Sequence, residues 1–145
     1  MFTTDQKPVF VYGTLRAGQG NYFGILKGTT VQERPAILNG YTLFGRGVPF
    51  AVQREDRIVV GEVMDVDTEL WPGVLRNLDR LEGYHGEGCT NMYDREVRTV
   101  TLDDGSTVEA YVYLAGKSSR RWFIDSEEIP GGDFVKAESQ YGYSW

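Results

Sequence analysis

A chain of 145 residues, 41% hydrophobic and 25% charged, has the size and composition of one ordinary globular domain spanning residues 1–145, large enough to bury a core without staples. Its formal net charge of −6 and pI near 4.8 weigh against a nucleic-acid partner, which needs a clustered positive patch; Arg120-Arg121 near Lys117 reads as surface. One cysteine, Cys89, excludes an intrachain disulfide and a thiolate metal cluster, and with a polar Met1–Lys7 and no apolar run of bilayer length, a cytoplasmic protein without a membrane partner is expected.

The first predicted element is a strand over Pro8–Tyr12. Val9, Phe10, Val11 and Tyr12 are apolar or aromatic without alternation, which predicts a strand covered on both faces. Gly13 ends it. A glycine there permits a turn, a positive φ and the close approach of another group, and the amides that follow, in Thr14 and Leu15, lose their ladder partners. Such amides can hold an anion or a developing oxyanion; an ordinary structural turn uses the same residues.

Asn21 next offers an N-cap for a short helix, Tyr22–Leu26, which Gly24 weakens. Strands are predicted over Glu33–Phe44, with a break at Asn39-Gly40, then over Phe50–Arg54 and Arg57–Val66, joined as a hairpin at Glu55-Asp56. Trp71, Val74, Leu75, Leu78 and Leu81 follow the spacing of one buried helical face. Asp67 or Thr68 can cap that helix, Pro72 suits its first turn, and Gly83 suits the left-handed residue after its end. Strands over Arg95–Leu102 and Thr107–Leu114 form the clearest hairpin, turning at Asp103-Asp104-Gly105-Ser106. Ser126–Trp145 reads as irregular. The sum is an α+β fold, a small, mainly antiparallel barrel-like sheet with two or three short helices.

Glu82 is the residue of greatest chemical interest. It sits in the last turn of the predicted helix, where unpaired carbonyls disfavour a carboxylate, and beside apolar Leu78 and Leu81, which disfavour its charged form. A carboxyl so placed is poised to exchange protons near neutral pH. A solvated glutamate at a helix end fits the same residues.

Three separate pieces carry a resemblance. Tyr12-Gly13-Thr14-Leu15-Arg16, then Leu78-Asp79-Arg80-Leu81-Glu82-Gly83-Tyr84, then Tyr93-Asp94-Arg95 stand in an order and spacing similar to the γ-glutamylcyclotransferase family, which includes the γ-glutamylamine cyclotransferases and AIG2-like proteins. The resemblance runs from Val9 to about Leu114. It implies an α+β fold around a small mixed barrel and an intramolecular aminolysis, in which the α-amine of an L-γ-glutamyl group attacks its own side-chain carbonyl. The products are 5-oxoproline and an amine or amino acid. Because nucleophile and electrophile share one molecule, near-attack geometry supplies much of the barrier reduction, and no metal or cofactor is implied.

By the same resemblance Glu82 is the acid/base, and the amides near Gly13, Thr14 and Leu15 bind the oxyanion and carboxylate, with Tyr12 as a pocket wall. Arg16 is placed to neutralise the substrate α-carboxylate, although an outward-facing arginine fits as well. Tyr93 and Tyr113 are second candidates for walls or hydrogen bonds to substrate; for each, ordinary packing is the alternative. The chain departs from the compact family pattern in its loop Gly83–Met92, which is long enough to border the site on the leaving-group side. His85 and Cys89 in that loop supply too few ligands for a zinc site and no third catalytic group.

Two other functions fit the same chain. One is a catalytically silent member of the fold that binds a small ligand or a protein. The other is a pathway-specific cyclotransferase that removes a γ-glutamyl protecting group from a biosynthetic intermediate. Oligomeric state is not legible in the sequence.

Overall fold

The computed structural model describes residues 5–45, 48–117 and 127–141, so Arg120-Arg121 and Met1–Thr4 lie outside the described residues. Five strands, β1 (Val9–Val11), β2 (Thr30–Phe44), β3 (Phe50–Val66), β4 (Tyr93–Leu102) and β5 (Thr107–Ala115), close a barrel in the order β1-β3-β2-β4-β5. The barrel is mixed: β1 runs parallel to β5, with Val9 opposite Tyr111, and the other pairings are antiparallel. Helix α1 (Trp71–Glu82) links β3 to β4, and helix α2 (Phe134–Tyr141) follows β5. No helix among the described residues is long and apolar enough to cross a membrane.

Strand β1 has both faces covered. Val9 and Val11 join Trp71, Val74, Leu75 and Leu78 in the layer between sheet and α1, where Trp71 stacks on Tyr111 at 5.9 Å. Phe10 and Tyr12 point the other way, into a second cluster to which all five strands contribute and which Phe134 and Ala137 of α2 close. Two buried faces on one strand explain its unbroken apolar run. Tyr111 and Tyr113 of β5 likewise belong to the α1 layer, while Ala110, Val112 and Leu114 belong to the second cluster.

Several local expectations are corrected. Tyr12 lies beyond the end of β1. There is no hairpin at Glu55-Asp56: β3 runs through it, with Asn39 opposite Ile58 but Tyr41 opposite Gln53, so residues 54–57 bulge out against Gly40, whose φ is 83°. The chain reverses instead between Phe44 and Phe50, which pair with each other. The stretch read as irregular contains α2, whose start is capped by Asp133: its Oδ1 accepts the Lys136 N–H at 3.0 Å. The hairpin at Asp103–Ser106 forms as expected, with Gly105 at φ 86° and the Leu102 N–H donating to Ser106 O at 2.8 Å.

Candidate active site

After β1 the backbone turns back on itself, the Arg16 N–H donating to Gly13 O at 3.0 Å. Gly13 does not take the left-handed conformation that the sequence left open. Its glycine is required by space, since a Cβ there would stand 2.7 Å from Pro49 Cγ and 3.1 Å from Cδ. The N–H groups of Gly13, Thr14 and Leu15 donate to no described residue. The loop's carbonyl side is held instead: Thr14 O accepts from the Asn21 and Tyr22 amides at 3.0 and 3.2 Å, and Thr14 Oγ1 accepts from Asn21 Nδ2 at 2.7 Å. Asn21 therefore braces the turn rather than capping with its side chain, and residues Tyr22–Leu26 form a single π-helical turn.

Helix α1 starts with Leu70 as its N-cap, without side-chain capping; Asp67 acts one step earlier, accepting the Glu69 N–H at 2.9 Å. It ends where Gly83 takes φ 65° and ψ 36°, a left-handed terminus that puts Glu82 in the last turn. Leu78 is fully buried, whereas Leu81 is 39% exposed and not part of the buried face. Glu82 faces a cavity of about 260 Å³ that Tyr12, Gly13, Thr14, Leu15, Tyr93 and Tyr113 also line. It makes no hydrogen bond or ion pair with another described residue, and burial pushes its carboxyl up to about 7.

Three phenols surround that carboxyl, and each has another acceptor. Tyr12 Oη donates to the Tyr113 carbonyl and receives the Ala51 N–H at 3.4 Å, Tyr93 Oη donates to Pro49 O at 2.7 Å, and Tyr113 Oη donates to Asp79 Oδ1 at 2.6 Å. Burial, the largest cause in each case, raises all three above the ordinary phenol range, so they are neutral walls. Asp79 takes a second bond from Arg95 Nη1 at 2.5 Å, and the Arg95 guanidinium lies 4.8 Å from the Tyr84 ring and 5.4 Å from that of Tyr111.

Arg16 is not brought to this cavity. Its Nε bonds Glu62 Oε2 at 2.5 Å and its Nη1 bonds Asp133 Oδ1 at 2.9 Å, so it straps the loop to β3 and to the start of α2. Loop Gly83–Met92 reaches the cavity only through its last residue, Met92. The rest folds around Asn91, which is 3% exposed, receives the His85 N–H at 2.7 Å and donates to Asp94 Oδ1 at 2.9 Å. Cys89 is a free, exposed thiol. Sequence reasoning missed Pro49 and Asp79; Met92 it named only as the end of the bordering loop. Asp79 stands within the Leu78–Tyr84 motif, but its partners, Arg95 and Tyr113, lie on β4 and β5.

The profile of the family described as "Gamma-glutamyl cyclotransferase, AIG2-like" matches residues 9–136. The gamma-L-glutamyl-butirosin B gamma-glutamyl cyclotransferase of Niallia circulans is 32% identical over 107 residues, which cover 73% of this chain and 65% of that protein. The gamma-glutamylaminecyclotransferase of Bos taurus is 33% identical over 138 residues, covering 86% of this chain and 77% of that one. The crystal structure of an aig2-like protein from Mus musculus superposes with a TM-score of 0.57 at 25% identity, over 88% of this chain and 92% of that chain.

Proposed function

Because the chain belongs to the gamma-glutamyl cyclotransferase, AIG2-like family and is an enzyme of that type, we propose that it cyclises an L-γ-glutamyl conjugate to 5-oxoproline with Glu82 as its acid/base. The observation that carries this reading is the sharing of one cavity by the Glu82 carboxyl, free of described partners, and a turn whose three successive amides have no described acceptor.

The steps follow from those groups. Ionised Glu82 takes a proton from the substrate ammonium, and the freed amine nitrogen attacks the γ-carbonyl carbon, closing a five-membered ring. Negative charge moves onto the carbonyl oxygen, where amides of Gly13, Thr14 and Leu15 can stabilise it without reorganising. Glu82 then returns the proton to the departing nitrogen as the C–N bond breaks, and the second proton left on the ring nitrogen passes by the same carboxylate to the released amine, so that a neutral lactam and an ammonium leave. A carboxyl pushed up to about 7 suits both halves of this exchange, since it accepts and releases a proton near neutral pH.

Tyr12, Tyr93 and Tyr113 act as walls in this reading, their hydroxyls engaged elsewhere. Arg16 lies outside the cavity lining and serves in this reading by holding the loop. The test is to incubate the protein with γ-glutamylamines, γ-glutamyl dipeptides and glutathione and to measure 5-oxoproline by mass spectrometry. N-acetylating the α-amine should eliminate product. Release of free glutamate from the acetylated compound would replace cyclisation by hydrolysis.

A further inference from the structure

The phenols that line the Glu82 cavity send their protons to acceptors of two kinds. Tyr12, just past β1, donates to the Tyr113 carbonyl and Tyr93 of β4 to the Pro49 carbonyl, both backbone atoms. Tyr113 of β5 donates instead to a side chain, Asp79 Oδ1 at 2.6 Å. That acceptor has a rival. Asp79 and Glu82 stand three residues apart on α1, the spacing that puts two side chains on one face with Cβ atoms about 5–6 Å apart. A hydroxyl held by the first carboxylate therefore stands close to the second. Burial raises the Tyr113 phenol most, then the bond and charge of Asp79, and the charge of Glu82 adds to them. Arg95, directly opposite Tyr113 in the β4–β5 register, fills the other Asp79 oxygen and fixes that carboxylate in place.

Resting on the reaction proposed above, we propose that Asp79 is a positioning residue, which holds the Tyr113 hydroxyl away from Glu82 and so keeps the proton-carrying carboxyl without a donor. A hydrogen bond to a carboxylate favours its charged form, so a phenol turned to Glu82 would make it a weaker base. Asp79 acts on the reaction through Tyr113, without touching substrate. Tyr12 and Tyr93 are the other titratable groups that the described lining sets around Glu82; their protons are tied to the backbone, and that lining holds no Lys, Arg, His or second carboxyl. The state of Glu82 is therefore set by which of two neighbouring carboxylates one hydroxyl serves.

The test reads Glu82 directly. In protein isotopically labelled at the glutamate side-chain carboxyls, the carbon NMR signal missing from Glu82→Gln is that of Glu82, and it should titrate near 7. Asp79→Ala should move that midpoint down by about one pH unit or more, the scale of a hydrogen bond to a charged group. Adding Tyr113→Phe to Asp79→Ala should bring it back, because the redirected hydroxyl is gone. Asp79→Asn, whose amide oxygen still accepts from Tyr113, should stay close to wild type. A midpoint unmoved in folded Asp79→Ala overturns the proposal. So does one that stays low in the double variant, which would assign the change to the freed Arg95 or the lost Asp79 charge. Tyr113→Phe by itself leaves Asp79 and Arg95 paired and should not move the midpoint; a rise of about one unit would mean that the hydroxyl already serves Glu82, and would overturn the proposal whether or not Asp79→Ala folds. The acid limb of kcat/KM for 5-oxoproline formation should follow the same order across the variants. If the midpoints move as stated and no conjugate yields 5-oxoproline, the reaction falls while the role of Asp79 in holding the hydroxyl stands.

Discussion

Two carboxylates stand one turn apart on α1 in opposite circumstances. Asp79 receives the Tyr113 hydroxyl on one oxygen and the Arg95 guanidinium on the other. Glu82 receives nothing from the described residues, although three phenols line its cavity, because each phenol is turned to another acceptor. The contrast supports placing the proposed chemistry at Glu82. A carboxylate with its lone pairs filled serves the fold, whereas one that lines a largely apolar cavity and is left without donors can take and release a proton near neutral pH.

The strongest way to break this comparison is Glu82→Gln. Glutamine keeps the shape but cannot take a proton, so turnover should fall by about two orders of magnitude or more with far-UV circular dichroism unchanged. Wild-type turnover in that variant would remove Glu82 from the chemistry.

Next in size is Gly13→Val. The added Cβ meets Pro49 at 2.7 Å and must displace the turn that carries the free amides. Loss of about a hundredfold in kcat is expected, the scale of a lost oxyanion donor, while Thr14→Ser should stay within a few-fold. Equal effects of the two substitutions would mean that the Thr14 side chain, rather than the backbone, carries the function.

Asp79→Ala sharpens the comparison from the other side. It leaves Arg95, whose side chain is 13% exposed, without its partner, and should cost about 2 kcal/mol of stability by urea denaturation. Its effect on kcat should be much smaller than that of Glu82→Gln. A reversed order would make Asp79 the proton carrier.

The last test is a pH signature. Burial holds Glu82 at about 7, above its ordinary value of 4.5, so the folded state binds the proton more tightly than the unfolded one. The stability it contributes is fully present below pH 4.5 and is lost as pH rises to about 7. Glu82→Gln should therefore raise the Tm by several degrees, on the order of 10 °C for the full displacement, at pH 8 and by almost nothing at pH 4, measured by calorimetry. In the wild type, kcat/KM should fall tenfold per unit below about pH 7, since the base must be ionised. An acid limb near 4.5 would mean that the carboxyl is solvated in the working enzyme.

What was legible in the sequence was local. The strand entering Gly13, the α1 stripe with Gly83 at its end, and the Asp103–Ser106 hairpin each carry their signal within a few residues. The elements misread depend on distant partners. Glu55-Asp56 looks like a turn because its polar residues bulge from the sheet, and only pairing with β2 shows that the strand continues. Asn21 looks like a cap until Thr14 folds against it, and Arg16 looks available for substrate until Glu62 and Asp133 take its guanidinium. Glu82 was legible by position, but its isolation was not, because that requires knowing where three tyrosines send their protons.

The strap made by Arg16 also bears on the order in which the molecule is built. Arg16 and Asp133 are 117 positions apart, and Asp133 at the same time opens α2, which plugs the second apolar cluster. Closing so long a loop costs entropy before it yields contact. During synthesis the turn that carries the free amides emerges early, yet this fastening is out of reach until nearly the whole described chain has followed. A nascent chain that stops short of Asp133 can fasten the turn to β3 through Glu62 but lacks the second tether, to the start of α2.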